Sequence, residues 1–390
     1  MNRTALGLVN GIVYLGYASH GDNGPYHGWL LGYNATNVNQ LVCYYNSTPN
    51  GGLGGFWQGG GGPAVDSAGN LYLITGNGSF NANAGTISTN NNYGMSFLKF
   101  STTNGAAQLV DFFSPHDEAS QSGGDLDLGS GAPIVLPDSA GSAAHRHLVV
   151  GAGKNGTIYL LDRDSMGRFN AANDNQIVQV MGGAVGGNFG TPAFWNNRLY
   201  FIGGGDNLKA FTVTNGVIAS NPVRSPNSFG GDKSSTTPIV SSDGTNNGIV
   251  WAIHSSAFAS SGPAILYAYN ATNVAQQLYS SSSLLSRDNP GPAVKFTRAN
   301  RCQWKSLRRS AIQIVGFWNR PFHLRSDDFT CWRSLYQFGN DYISGCDGGD
   351  DDLLHVGWHR AHNQFTALHQ PFVLTNTAAV QAHCRQARHC

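Results

Sequence analysis

RLYFIGGGDNLKAFTVTNG, residues 198–216, reads as strand, glycine turn, strand and Asn-Gly turn. Leu199 to Ile202 is short and rich in aromatic and β-branched residues. Gly203, Gly204 and Gly205 allow a reversal, because glycine tolerates positive φ. Leu208, Ala210 and Phe211 belong to the returning strand, which Asn215-Gly216 closes. The same grammar recurs in GIVYLGYASH with GWLLGYNATN (11–37), NLYLITGNG with MSFLKFSTTNG (70–105), LVVGAGKNGTIYLLDRDSMG (148–167) and GIVWAIHSSAFASSGPAILYAYNATN (248–273). The hexapeptide Tyr-Asn-Ala-Thr-Asn-Val occurs at 33–38 and again at 269–274. The central positions Tyr14, Tyr72, Val149, Tyr200 and Val250 recur at about 50 to 75 residues, a spacing suited to propeller blades with long loops. Each unit is a small sheet that cannot bury its own faces, so neighbours must stack around an axis.

Composition agrees with strands joined by polar turns. Glycine supplies 51 of 390 residues and charged residues only 12%, against usual shares of about 7% and about 25%. Glu118 is the sole glutamate. Such a chain disfavours helices. The formal net charge is +1 and no basic face stands out in the first 297 residues, which argues against a nucleic-acid partner. No apolar run approaches the roughly 20 residues a membrane helix needs. The opening MNRTALGLVNG has no basic head followed by an apolar stretch, so it reads as part of a sheet and not as a signal peptide.

Five units of four antiparallel strands follow from these patterns, with PAVKFT (292–297) as the start of a sixth. The expected fold is all-β: a β-propeller of four-stranded antiparallel blades, five blades plus the start of a sixth, in an incomplete ring. In a propeller the first strand of each blade lines the axis, and the connections between blades share one face with the second-to-third-strand loops. That face carries FWQGGGGPAVD (56–66), GGDLDLGSGAPIV (123–135), FGGDKSSTTPIV (229–240) and SRDNPGPAV (286–294). Candidate ligand-binding residues on it are His20, Asp22, His27, Gln58, Asp125, Asp127, Lys154, Asp206, Lys233, Arg287 and Asp288. A ligand site is expected there, on loops at the mouth of a rigid scaffold.

Composition changes after Thr297. The last 93 residues hold five of six cysteines, seven of 13 histidines and ten of 17 arginines, but six of 51 glycines. The genetic code offers a reason. Shifting the frame by one base turns Trp304 followed by Lys305 into glycine, and Trp318 followed by Asn319 into glycine again. One consistent codon choice yields VPTVANGKVYVGAQYKSLVFGI, which continues the blade grammar. Residues 1–297 are therefore expected to form a partial propeller, and 298–390 an out-of-frame tail of low order. On that reading the helical spacing of His355, His359 and His362 is accidental.

VNGIVYLGYASHGDNGPYHGWLLGYNATN, DLDLGSG (125–131), LVVGAGKNGTIYLLDRDSMG and RDNPGPAVKFT resemble bacterial PQQ-like, quinoprotein-like β-propeller repeat proteins over roughly residues 3–297. The resemblance implies an exported protein, extracellular or periplasmic in intact relatives. It also implies that the chain is a fragment, truncated at one end and frameshifted at the other. Quinone-binding members carry a turn repeat with a docking tryptophan, adjacent cysteines and an acidic calcium site. Here AFTVTNG (210–216) keeps the turn without the tryptophan, and Cys43 is the one cysteine before the break. Cofactors are therefore not expected, with PQQ and calcium as the alternative.

Three functions remain open. The preferred one is a non-catalytic scaffold or binding module whose polar channel mouth takes a small molecule, a glycan or an envelope protein. The second is a PQQ-dependent dehydrogenase-like quinoprotein, and the third a propeller glycan hydrolase or lyase, which requires paired carboxylates. Two imidazoles and a carboxylate in His20–His27 could hold a metal or move protons, although a loop satisfying its own backbone explains them as well. Asp125 and Asp127 alternate along the chain and so share a side, making them calcium candidates. Six Asn-x-Ser/Thr sequons before residue 298 read as turn chemistry.

Overall fold

The computed structural model describes residues 4–83, 86–103, 105–231 and 236–303, and beyond them only the strands at 313–316, 333–338, 341–346, 356–360 and 381–383. The chain divides into two compact units, Met1–Arg298 and Ala299–Cys390.

In the first unit, five antiparallel sheets follow the sequence in order. Blade one comprises β1 (Gly7–Val9), β2 (Ile12–Tyr17), β3 (Trp29–Asn34) and β4 (Asn37–Asn46); blade two β5 (Ala64–Val65), β6 (Leu71–Ile74), β7 (Phe97–Ser101) and β8 (Gln108–Phe113). Blade three has β9 (Ile134–Val135), β10 (Leu148–Ala152), β11 (Ile158–Asp162) and β12 (Gln179–Met181). Blade four has β13 (Ala193–Trp195), β14 (Arg198–Ile202), β15 (Asn207–Thr214), β16 (Val217–Ile218) and β17 (Val223–Ser228). Blade five has β18 (Ile239–Asp243), β19 (Asn246–His254), β20 (Ile265–Asn270) and β21 (Asn273–Ser280). The all-β expectation holds, and the blades are those of a β-propeller.

Turn chemistry sets the registers. Asn10-Gly11 and Asn215-Gly216 take positive φ at both positions, as a two-residue hairpin matched to strand twist requires. In blade four the sequence offers VIASNPV (217–223) as a weak fourth strand, and the structure builds the blade differently. The weak segment after Asn215 gives only the two-residue β16, and β17, four residues further on, pairs with β15 as the outer strand.

Strand alternation then welds each blade to the next. Leu199 and Phe201 face blade three, packing with Val150 and Leu160. Their neighbours Tyr200 and Ile202 face blade five, packing with Val250, Tyr267 and Tyr269. Tyr14 and Leu30 meet Leu73 and Phe100 between blades one and two, and Phe97 and Phe113 meet Val149 and Tyr159 between two and three. Each such side chain contributes roughly 1.5–3 kcal/mol on burial.

The segments leading into the inner strands also meet one another. Ala5 N donates to the Gly61 carbonyl at 3.0 Å and Ala132 N to the Gly190 carbonyl at 3.3 Å. Thr191 N donates to Thr237 Oγ1 at 3.0 Å, and Thr237 bridges Arg298. Gly59, which precedes blade two, abuts the carbonyl of Phe189, which precedes blade four. A side chain at Gly59 would collide there.

The ring is open. Leu8, Val38 and Tyr44 on blade one are 68%, 67% and 68% exposed. The stretch 292–297 bridges Pro292 to Pro263 but forms no strand among the described residues.

In the second unit, β22 (Asn300–Gln303) pairs with β23 (Gln313–Gly316). β24 (Arg333–Phe338), β25 (Asp341–Cys346), β26 (Val356–Arg360) and β27 (Gln381–His383) form an antiparallel sheet in the order β26-β25-β24-β27. His359 thus lies in a strand. The remainder of 304–390, and with it the expected low order of the tail, lies outside the described residues.

Candidate functional site

The mouth loops of blades one to three converge on a charged knot. Lys154 follows β10, and its Nζ donates to Asp125 Oδ1 at 2.8 Å and pairs with Asp127 Oδ2 at 2.6 Å. Asp127 is buried; its second oxygen accepts from Asn77 N at 2.7 Å. Asn77 Nδ2 donates to Asp125 Oδ1 at 2.8 Å, and Gly78 N to Ser122 Oγ at 3.1 Å. Asn77 Oδ1 is buried without a hydrogen-bond partner among the described residues. Ser122 lies on α1 (Glu118–Gly123), a six-residue helix in the connection between blades two and three that hydrophobic periodicity did not reveal.

Electrostatics follow from this packing. Burial pushes the Asp127 carboxyl above its ordinary range, and Lys154 and the Asn77 amide offset this only in part. Burial pulls the Lys154 ammonium down, but its hydrogen bonds to Asp125 and Asp127 prevail and hold it above the ordinary value. An ammonium therefore occupies the position between the two carboxylates that a calcium ion would need.

Blade one adds aromatic groups beside the knot. Tyr26 OH donates to Asp22 Oδ1 at 2.6 Å. Burial and then Asp22, Asp127 and Asp125 push its phenol well up. Its ring meets Trp57 edge-on at 6.0 Å. His27 Nδ1 lies 2.8 Å from the Thr48 carbonyl, which makes Nδ1 the donor and fixes the ring's tautomer. A cleft of about 450 Å³ lined by Tyr17, Pro25, Tyr26, His27, Trp29 and Leu31 opens along this blade.

The other candidates are dispersed. His20 is exposed, and its carbonyl accepts from Asn23 Nδ2 at 2.9 Å. Gln58 is buried, its Oε1 accepting from Ile74 N at 3.1 Å. Asp206 is held by Lys209 Nζ at 2.6 Å and Gly186 N at 2.8 Å. Arg287 Nε and Asp288 Oδ1 pair at 2.6 Å, and this holds the Asp288 carboxyl below its ordinary value. Lys233 lies outside the described residues. The structure thus joins Asp125, Asp127 and Lys154 directly, sets Asp22 and His27 beside them on blade one, and gives His20, Gln58, Asp206, Arg287 and Asp288 hydrogen-bond partners of their own outside this knot.

One cluster escaped the sequence. His116, Asp117 and Asp174 place their ligand-type atoms within 4.8 Å of one another. Asp174 is buried and accepts from His116 N at 2.7 Å, with His116 Nδ1 2.9 Å from its other oxygen. Fifty-eight residues separate His116 from Asp174, and no spacing rule connects them.

No family model matches the chain, and no curated protein does. Solved structures do. The quinohemoprotein alcohol dehydrogenase from Comamonas testosteroni is 13% identical with a TM-score of 0.42, over 88% of this chain and 55% of that one. A europium-containing methanol dehydrogenase gives 13% and 0.43, over 71% and 60%. BamB from Moraxella catarrhalis gives 13% and 0.40, over 94% and 85%. They are β-propeller proteins, the fold that the sequence motifs imply. The chain spans 55% and 60% of the lengths of the two dehydrogenases. Among the described residues no helix is long and apolar enough to cross a membrane.

Proposed function

We propose that the protein is a non-catalytic propeller module that binds a ligand at the mouth of blades one to three, outside the cytoplasm. One observation carries this reading: the charged groups of the mouth are already committed to each other. Lys154 neutralises Asp125 and Asp127, Lys209 neutralises Asp206, and Arg287 neutralises Asp288. Acid–base hydrolysis needs two carboxyl groups with separate protonation states flanking an open cleft, and these are held in ion pairs. A quinone with calcium does not fit these residues either. Lys154 stands between Asp125 and Asp127 where the cation would be, and the 210–216 turn offers no tryptophan. What the mouth does present is a rigid polar rim beside an aromatic cleft, suited to a small molecule, a glycan or a protein of the cell envelope.

The test is a pair of assays on the full chain. Dye reduction with pyrroloquinoline quinone, calcium and an alcohol or sugar should stay at background. Saturation-transfer NMR against a panel of oligosaccharides and envelope-derived peptides should show binding that Tyr26→Ala or Lys154→Ala weakens at least tenfold. Quinone-dependent turnover would overturn the reading.

A further inference from the structure

The ligand reading leaves one group of metal-ligating side chains unused. Among the described residues, His116, Asp117 and Asp174 are the trio whose ligand-type atoms lie within 4.8 Å of one another. The donor set is one imidazole nitrogen and two carboxylate oxygens. An imidazole suits zinc, carboxylates and water suit manganese, and the mixture serves either ion. The charge balance differs from that of the mouth, where each carboxylate has a lysine or arginine. Among the described residues neither Asp117 nor Asp174 pairs with one; Asp174 has only the imidazole of His116.

The trio is positioned from outside itself. Asp117 stands at the N-cap of α1, where an aspartate ordinarily accepts from the first helical amides. It makes no capping bond. Its Oδ1 accepts instead from Gln121 Nε2 at 2.6 Å. Gln121 is buried, donates also to Tyr159 OH at 3.2 Å and accepts from Asn155 Nδ2 at 2.8 Å. A buried network anchored on blade three thus aims the Asp117 carboxylate, as outer hydrogen bonds aim the carboxylates that hold metals. Asp174 is fixed by burial, its side chain only 7% exposed. The His116 imidazole is 43% exposed, which gives an ion a way in and leaves room for water. Ligands at about 2.0–2.2 Å from an ion stand roughly 3.0–3.5 Å from one another. His116 Nδ1 and Asp174 Oδ2, at 2.9 Å, need to part by only a few tenths of an ångström.

We infer that His116, Asp117 and Asp174 form a divalent-cation site of the manganese or zinc class, and that the ion clips the start of α1 to the long loop after β11. The ion takes the place of the proton on His116 Nδ1, which leaves to solvent, and water completes the coordination. The clip closes a loop of 58 residues, the kind of long closure from which a cross-link gains most. The inference is independent of the ligand reading, since the trio takes no part in the mouth.

The last 93 residues carry five cysteines and seven histidines, which compete for zinc, so manganese(II) is the probe and the difference between variants is the readout. The metal-stripped full chain is titrated with manganese(II), the free ion is followed by electron paramagnetic resonance, and the unfolding midpoint is recorded alongside. The parent should hold one ion more per chain than Asp117→Asn, and its midpoint should rise by a few degrees while that of the variant stays still. This substitution keeps an acceptor for Gln121 and leaves the His116–Asp174 bond in place, so without metal its midpoint should match the parent's. His116→Gln, the second variant, should lose the same ion. Equal stoichiometry in the parent and both variants would overturn the site. An ion that binds the trio without moving the midpoint would overturn the clip.

Discussion

Blades one and five carry the same hexapeptide and treat it in two ways. Its local bonds are identical. In both copies Asn34 or Asn270 accepts from the amide and hydroxyl of the threonine two residues on, at 2.9 and 2.8 Å in one and 2.9 and 2.7 Å in the other. Asn34 Nδ2 reaches Gln40 at 3.1 Å, and Asn270 Nδ2 reaches Gln276 at 3.0 Å. Burial differs. Val38 is 67% exposed and Val274 is at 0%; Tyr33 is half-buried and Tyr269 fully buried. The hairpin is written in six residues, whereas the burial is supplied by blade four, which blade one has no counterpart for among the described residues.

The largest expected effect sharpens this contrast. Tyr269→Ala empties a closed site and should cost about 3–5 kcal/mol. Tyr33→Ala, on the open face, should cost well under about 1 kcal/mol. Chemical denaturation of the two variants measures the difference, and equal losses would break the comparison.

The next test moves to the mouth, where burial is matched by charge. Lys154→Ala leaves Asp127 in its buried place without a cation and should destabilise by roughly 3 kcal/mol, the low end for a broken buried pair, because Asp125 is largely exposed. Asp127→Asn in the same chain should recover much of the loss. A Lys154→Ala midpoint equal to that of the parent would contradict the committed-charge account.

Asn34→Ala and Asn270→Ala form a third, symmetric pair. Each removes the same hydrogen bonds and should cost about 1 kcal/mol, alike in both blades despite their different burial. Unequal losses would mean that the neighbouring blade governs even the turn.

The smallest effect concerns His116, on the connection between blades two and three. Its hydrogen bond to Asp174 holds the imidazole pKa above 6.5. Stabilisation by this pair is therefore complete below about pH 6.5 and is lost as pH rises through the folded value. The imidazole is about half exposed, so the loss should stay within roughly 0.2–1 kcal/mol. It should vanish in His116→Ala when thermal midpoints at acidic and alkaline pH are compared.

The blades were legible because turn and strand chemistry is local. Asn-Gly at 10–11 and 215–216 and period-two alternation in LYFI (199–202) fix hairpins without help from afar. The mouth was legible only as a surface. DLD (125–127) and GAGKNG (151–156) were marked one by one, but nothing in either stretch says that Lys154 closes on Asp125 across 29 residues and on Asp127 across 27. The outer strand of blade four was misplaced because IASNPVRS carries no alternation, and tertiary pairing with β15 decides it. Asp174 and His116 meet only because the long loop after β11 runs back beside β8, as the Phe113–Arg168 bridge records.

Hydroxyl-radical footprinting of tyrosines tests the central claim, that identical hairpins differ only by their neighbour, most directly. The account predicts strong labelling of Tyr44, intermediate labelling of Tyr33 and protection of Tyr269 to the level of Tyr14, in the order of their exposures. Equal labelling of Tyr33 and Tyr269 in the folded chain would contradict it.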